Sequence, residues 1–145
     1  MYKHSTYQRV RYADTDKMGY LYYGHYAKFY EIGRTEILRE MGQSYRDMEE
    51  DSGIMLPVVH LESRYLSPAY YDDNIEIISV VKELPTKMIT FHHELRNEQK
   101  KLINSAIIKL FFVEMKTGQR ISIPERLKSA TVSYTHLTLP TNREV

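Results

Sequence analysis

Two carboxylates, Asp14 and Asp16, stand in the run Arg11-Tyr-Ala-Asp-Thr-Asp-Lys-Met-Gly19. By type and spacing they are the residues best able to do chemistry. A carboxylate can attack an acyl carbonyl or take the proton of an attacking water. A local reading competes: Asp caps its own backbone, Gly19 tolerates positive φ, and the run is then only a turn. The segment C-terminal to Gly19 favours chemistry. From His25 to Met41, Tyr26, Phe29, Tyr30, Gly33, Ile37 and Met41 recur three or four apart, the stripe of a one-sided helix. Gly42 is a suitable stop. An acidic loop that feeds a helix N-terminus meets backbone N–H groups that attract negative charge or a polarised carbonyl oxygen.

Other chemistries find little support. The chain has no cysteine, which removes thiol nucleophiles, disulfides and Cys-ligated zinc. It has no Gly-x-Ser-x-Gly elbow and no phosphate-binding glycine loop. His92 and His93 are neighbours on one predicted strand, so they point to opposite faces and cannot jointly hold a metal. His60 stands alone, and Asp72-Asp73 reads as a turn. No metal and no cofactor is expected.

The elements that must position the carboxylates read as one domain, residues 1–130. Ser5 to Arg11 is a short strand entering the loop. After the long helix, Tyr45 to Asp51 forms a second one, capped by Ser44 with Asp47 three residues on. Strands follow at Leu56–Leu66, Ile75–Lys82, Met88–Arg96 and Leu102–Met115, with a short edge at Ile121–Ile123 and a brief helix from Pro124 to Lys128. Helix and strands are segregated, which gives an α+β class with an antiparallel meander. Gly33 costs the long helix about 0.5–1 kcal/mol relative to Ala, so a close approach to another backbone is expected there. One helix covers one sheet face. Ile78, Val80, Ile103, Ile107 and Phe111 are expected on the other, and that face or the sheet edge should serve oligomerisation. With 20 basic and 19 acidic residues well mixed, the chain shows no basic stripe for nucleic acid. It shows no apolar run of membrane-spanning length. Thirteen tyrosines and no tryptophan are unusual, and many tyrosines cluster near the acidic loop.

Two blocks carry a resemblance. The first is Tyr12-x-Asp14-Thr15-Asp16-x-x-Gly19-x-x-Tyr22, then Tyr26, then Tyr30-Glu31-x-x-Arg34-Thr35-Glu36. The second is Tyr65-Leu66-x-Pro68-Ala69-x-Tyr71-Asp72-Asp73. Together they resemble the hotdog-fold acyl-CoA thioesterases of the 4-hydroxybenzoyl-CoA thioesterase-like group, over about residues 5 to 129. The resemblance implies a long central helix wrapped by an antiparallel sheet of about five or six strands. It implies a cytoplasmic homodimer or dimer of dimers with the site at the dimer interface. It implies Asp16 as nucleophile or general base and the Tyr23 backbone N–H as the group that polarises the thioester carbonyl. Gly19 and Tyr22 would line the substrate site; Lys87, with Lys82 nearby, keeps a charge suited to the nucleotide phosphates of acyl-CoA, and the competing reading of both is a solvated surface lysine. Many relatives have His at the position of Tyr23; here His25 follows two residues later. The benzoyl-specific branch has consecutive arginines where this chain has Pro85-Thr86. Alternatives are a non-catalytic acyl-CoA-binding module and another reaction on the same fold, such as dehydration. Residues 131–145 fit no part of the pattern. They resemble translated sequencing-adaptor sequence and are expected to form a non-native or loosely ordered tail; the rival reading is a native tail with a short strand from Val132 to Leu139.

Overall fold

The computed structural model describes residues 1–132. Its elements are β1 (Tyr2–Arg9), α1 (Tyr26–Glu40), α2 (Tyr45–Asp51), β2 (Ile54–Met55), β3 (Val58–Tyr65), β4 (Asn74–Val81), β5 (Met88–Arg96), β6 (Leu102–Glu114) and β7 (Arg120–Ile121). A third helix, α3, covers 125–132. All strand pairs are antiparallel. The main path runs β1-β4-β5-β6, and the far side of β6 takes β3 along its first part and β2 along its last residues; β7 also pairs with β6. Seven strands stand where about five or six were expected, because Ile54–Met55 forms a short strand of its own ahead of Pro57 and the anticipated Leu56–Leu66 strand; the expected short edge near Ile121 is β7.

The sheet curls around α1, which packs on β1, β4 and β5. The helix stripe is buried as its period demands: Tyr26, Phe29, Tyr30, Gly33, Ile37, Leu38 and, just past the helix, Met41. Strict alternation on β4 and β5 buries Ile75, Ile77, Ser79, Val81 and Ile89, Phe91, His93, Leu95. The Ser44 side chain accepts from Asp47 N–H at 3.1 Å and starts α2.

Three expectations need correction. Ile103 is fully buried and not on the open face. Leu95 pairs with Asn104 and Arg96 with Leu102, so Ile103 is the extra residue of a bulge that shifts the phase of β6. The first strand lies at Tyr2–Arg9, and Tyr12–Asp14 is a 3-10 turn. At Gly33 the close neighbours are side chains, not backbone: an added Cβ would stand 2.5 Å from Ser79 Oγ and 2.7 Å from Ile77 Cγ2.

The last helix outruns its expected end at Lys128. Leu127 is buried in the core, and buried Thr131 donates from Oγ1 to Leu127 O at 2.9 Å. The expected tail at 131–145 otherwise lies outside the described residues.

Candidate active site

The corner between the acidic loop and α1 is built from the backbone outward. The loop turns at Gly19, where φ is +82°, a conformation L side chains resist. Gly19 N–H donates to Asp16 O at 3.0 Å and Asp16 N–H to Tyr20 O at 2.8 Å. Asp16 caps this turn with its own side chain: Oδ1 accepts from Met18 N–H at 2.9 Å and Tyr20 N–H at 3.2 Å. Its other oxygen has no protein partner among the described residues. The half-buried carboxylate opens onto a shallow depression lined by Tyr12, Thr15, Lys17, Gly19 and Tyr71.

The two sequence blocks meet here. Leu21 N–H donates to Ala69 O at 2.7 Å, and Tyr71 N–H donates to Gly19 O at 3.2 Å. Tyr20 and Tyr70 form a β-bridge with rings edge to face at 5.3 Å, and Tyr12 meets Tyr71 at 5.8 Å. The clustered tyrosines therefore cement the loop to the segment before β4.

Helix α1 begins through a 3-10 turn, Tyr23–His25, entered from extended Tyr22. The N–H groups of Tyr23 and Gly24 have no partner among the described residues, as the first turn of a helix leaves them. Tyr23 is exposed, with its ring 4.8 Å from that of Tyr22. Hydrogen bonding to Tyr23 pushes the Tyr22 hydroxyl above its ordinary pKa. One turn on, burial raises the Tyr26 hydroxyl, and the nearby Tyr65 and Asp16 add to that push. The Asp16 carboxylate is thus within electrostatic reach of the Tyr26 hydroxyl.

Asp14 is arranged differently. It is buried, where Asp16 is not. Its Oδ1 accepts from Lys28 Nζ at 2.9 Å and from His25 Nδ1–H at 3.1 Å, and its Oδ2 accepts from Arg11 N–H at 3.0 Å. Its backbone carbonyl accepts from Tyr22 N–H at 2.8 Å. Burial works to raise the Asp14 pKa, but the donors from Lys28, Arg11 and His25 outweigh it and hold the carboxyl below its usual range. Turn formation alone does not describe this residue. The sequence does not reveal His25 and Lys28 as its partners, because they lie 11 and 14 residues away.

Of the other expected residues, Gly19 and Tyr22 belong to the corner. Lys82 and Lys87 do not join it within one chain. Arg9 and Asn74, beside the loop, pair at one end of β4, and Tyr2 and Val81 pair at the other. Lys82 follows Val81, roughly 25 Å along the strand from the corner. His93, set aside as a metal ligand, proves to be a buried core residue. Its Nδ1 shares a hydrogen bond with Ser79 Oγ at 2.9 Å, and its ring stacks on Tyr30 at 5.5 Å. Its place among Ile89, Phe91 and Leu95 in a period-2 pattern carries that signal.

Comparison with known proteins agrees with this architecture. A Bacillus subtilis protein whose acyl-CoA thioesterase assignment is itself provisional (YneP) is 35% identical over 74 residues, 51% of this chain and 53% of that protein. That match spans about half of the relative's length. A 1,4-dihydroxy-2-naphthoyl-CoA hydrolase of Thermosynechococcus vestitus is 27% identical over 122 residues, covering 83% of this chain and 84% of the relative. The crystal structure of a DHNA-CoA thioesterase from Staphylococcus aureus superposes with a TM-score of 0.86 at 27% identity, over 100% of this chain and 97% of that one. The family model of the thioesterase-like superfamily matches residues 10–131, which span both sequence blocks and the whole of the loop–helix corner; the chain belongs to that superfamily and has its hotdog fold.

Proposed function

We infer that this chain hydrolyses the thioester of an acyl-CoA, with Asp16 as the reacting carboxylate. The observation that carries the reading is the corner itself. A carboxylate oxygen and two helix N–H groups, all without a partner among the described residues, share one loop–helix junction. A thioester carbonyl whose oxygen lies on the Tyr23 N–H gains stabilisation as negative charge develops there. Asp16 then acts in one of two ways. As nucleophile, its oxygen adds to the carbonyl carbon, the carbon–sulfur bond breaks, CoA leaves as thiolate, and water cleaves the mixed anhydride. As general base, it takes a proton from the water that attacks the same carbon. Thiolate is a good leaving group, so neither route needs a strong acid. Gly19 holds the turn, and Tyr22 supplies an aromatic wall. The small or medium acyl group is the expected substrate class.

A second copy completes the site in this reading. Among the described residues, strand β3 is bonded to β6 along one edge only, and Val58, Val59, Leu61, Tyr65 and neighbouring Leu66 are exposed on it. An uncovered apolar edge is a template for another strand. The Tyr65 hydroxyl donates toward Tyr23 O at 3.4 Å, which ties this edge to the corner. Pairing β3 with β3 of a partner gives a homodimer, and the open sheet face carrying Ile78, Val80 and Ile107 suits a dimer of dimers. Lys82 and Lys87, far from Asp16 in one chain, are then candidates to reach CoA phosphates from a neighbouring subunit. No described helix is long and apolar enough to cross a membrane.

The test is a hydrolysis screen over straight-chain, branched, benzoyl and naphthoyl CoA thioesters, run on the wild type and on Asp16→Asn. Asparagine keeps size and capping ability but loses charge and basicity. Turnover on the best substrate should fall at least about a hundredfold with fold and assembly intact. Near-normal turnover by folded Asp16→Asn would remove Asp16 from the mechanism. Tight acyl-CoA binding without turnover by the wild type would favour the binding-module alternative.

A further inference from the structure

We propose that Asp14, His25 and Lys28 form a positioning clamp that sets the distance between Asp16 and the Tyr23 N–H; the proposal rests on the reading of that corner as the reacting centre. The oxygens of Asp14 accept four hydrogen bonds, from both ends of the loop and from the start of the helix. Arg11 N–H binds it where the loop begins, and Tyr22 N–H binds its carbonyl where the loop ends. His25 and Lys28 hold its other carboxylate oxygen from the 3-10 turn before α1 and from the first turn of α1. Asp16 follows Asp14 by two residues, and Tyr23 follows Tyr22 by one. Both reacting groups therefore hang from one buried residue, through its backbone carbonyl and its carboxylate together.

A turn-forming aspartate behaves as Asp16 does, bonding N–H groups two and four residues on. Asp14 instead takes two of its three side-chain donors, His25 and Lys28, from the start of the helix and is excluded from water, its side chain 3% exposed. Charge-assisted hydrogen bonds in such a site are short and directional. Misplacement of a reacting group by about 1 Å can cost about a hundredfold in rate. Lys28 and His25 keep their side chains 46% and 42% exposed, so either can be changed without emptying the core. Neither is placed on the substrate.

The experiment compares Lys28→Met, Lys28→Arg, His25→Leu and His25→Asn in the full chain. Steady-state kinetics on the best acyl-CoA is one readout; amide hydrogen exchange at Met18, Tyr20 and Tyr22 is the other. Lys28→Met should lower kcat by about ten- to a hundredfold with KM within about twofold, and raise exchange at those amides at least about tenfold. Lys28→Arg, which keeps a cation, should restore both. Asn places Nδ2 two bonds from Cβ, where His25 has Nδ1, so His25→Asn should retain most activity and His25→Leu should not. Wild-type kcat and exchange in Lys28→Met overturn the clamp. So does a rise in KM at unchanged kcat, which would put Lys28 on the substrate. So does a loss that Lys28→Arg fails to rescue and that follows a fall in Tm. If Asp16→Asn is fully active while Lys28→Met loosens the loop, the assignment of Asp16 fails and the clamp stands. If no thioester is turned over, exchange alone decides.

Discussion

Ser79 Oγ occupies the space that a Cβ on Gly33 would need, 2.5 Å from the ideal position. Ser79 is held there by His93, and Ile77, the other close neighbour, is β-branched and stiff. Gly33→Ala should therefore destabilise the fold although it favours the helix. The helix gains about 0.5–1 kcal/mol, against about 1–3 kcal/mol for overpacking. Urea unfolding checks it; a midpoint at or above that of the wild type would show that α1 can lift off the sheet without loss.

His93 sets an acid limit. Burial, then Arg34 and His92, push it down from 6.5 to about 3, so the folded protein keeps it neutral. Below 6.5 the unfolded chain binds a proton that the folded chain refuses. The contribution is complete above pH 6.5 and is lost as pH falls from there toward 3, at up to about 1.4 kcal/mol per pH unit. Replacing His93 with Phe, which can stack in the same place, should flatten the fall in stability between pH 6 and 4 by about one proton. An unchanged slope would mean that His93 takes up its proton without unfolding.

How far such features are legible in the sequence depends on range. Helix α1, the Ser44 cap and the limits of β5 follow from local periods and local hydrogen bonds, and each is readable. The alternation that buries Ile89, Phe91 and Leu95 also places His93 inward. Ile103 is misplaced by the pattern because nothing in a continuous apolar run marks where a bulge shifts the phase. The need for space at Gly33 can be read from its place in the stripe; that Ser79 fills the gap cannot. Asp14 is the harder case, since its type explains a turn completely. Its partners become visible only once the loop has folded back on α1. Lys82 is readable as the last residue of its predicted strand, but no local signal says that the acidic loop meets the opposite end of β4.

Asp14 should make the fold acid-sensitive over a lower range than His93. Its carboxyl is held below the usual 3.8 once burial is outweighed by its donors. Its contribution is present above the unfolded value near 3.8 and is lost as pH falls through the lower folded value. Asp14→Asn should cost about 1.5–3 kcal/mol at pH 7, the usual worth of hydrogen bonds to a charged group. The gap between variant and wild type should narrow below about pH 4. A gap that stays constant down to about pH 3 would assign the loss to shape and not to charge.

The free edge of β3 gives the last prediction. Leu61 is exposed on this strand and lies between Val59 and Ser63, while Tyr65 farther along packs edge to face on Tyr26 at 4.9 Å. If a second copy pairs along this edge, the wild type should run as a dimer or larger at micromolar concentration. Leu61→Glu puts a charge into the paired strands and should release monomers, because edge charges oppose strand addition. The Ser63 hydroxyl, Tyr30 hydroxyl and Asn104 amide network behind the strand is intramolecular, so the monomer should remain folded. Hydrolysis should fall with assembly and return at high protein concentration, where mass action restores the dimer. A wild type that is monomeric yet fully active, or a monomeric Leu61→Glu that keeps normal turnover, would place the whole site within one chain and leave the β3 edge without a catalytic part.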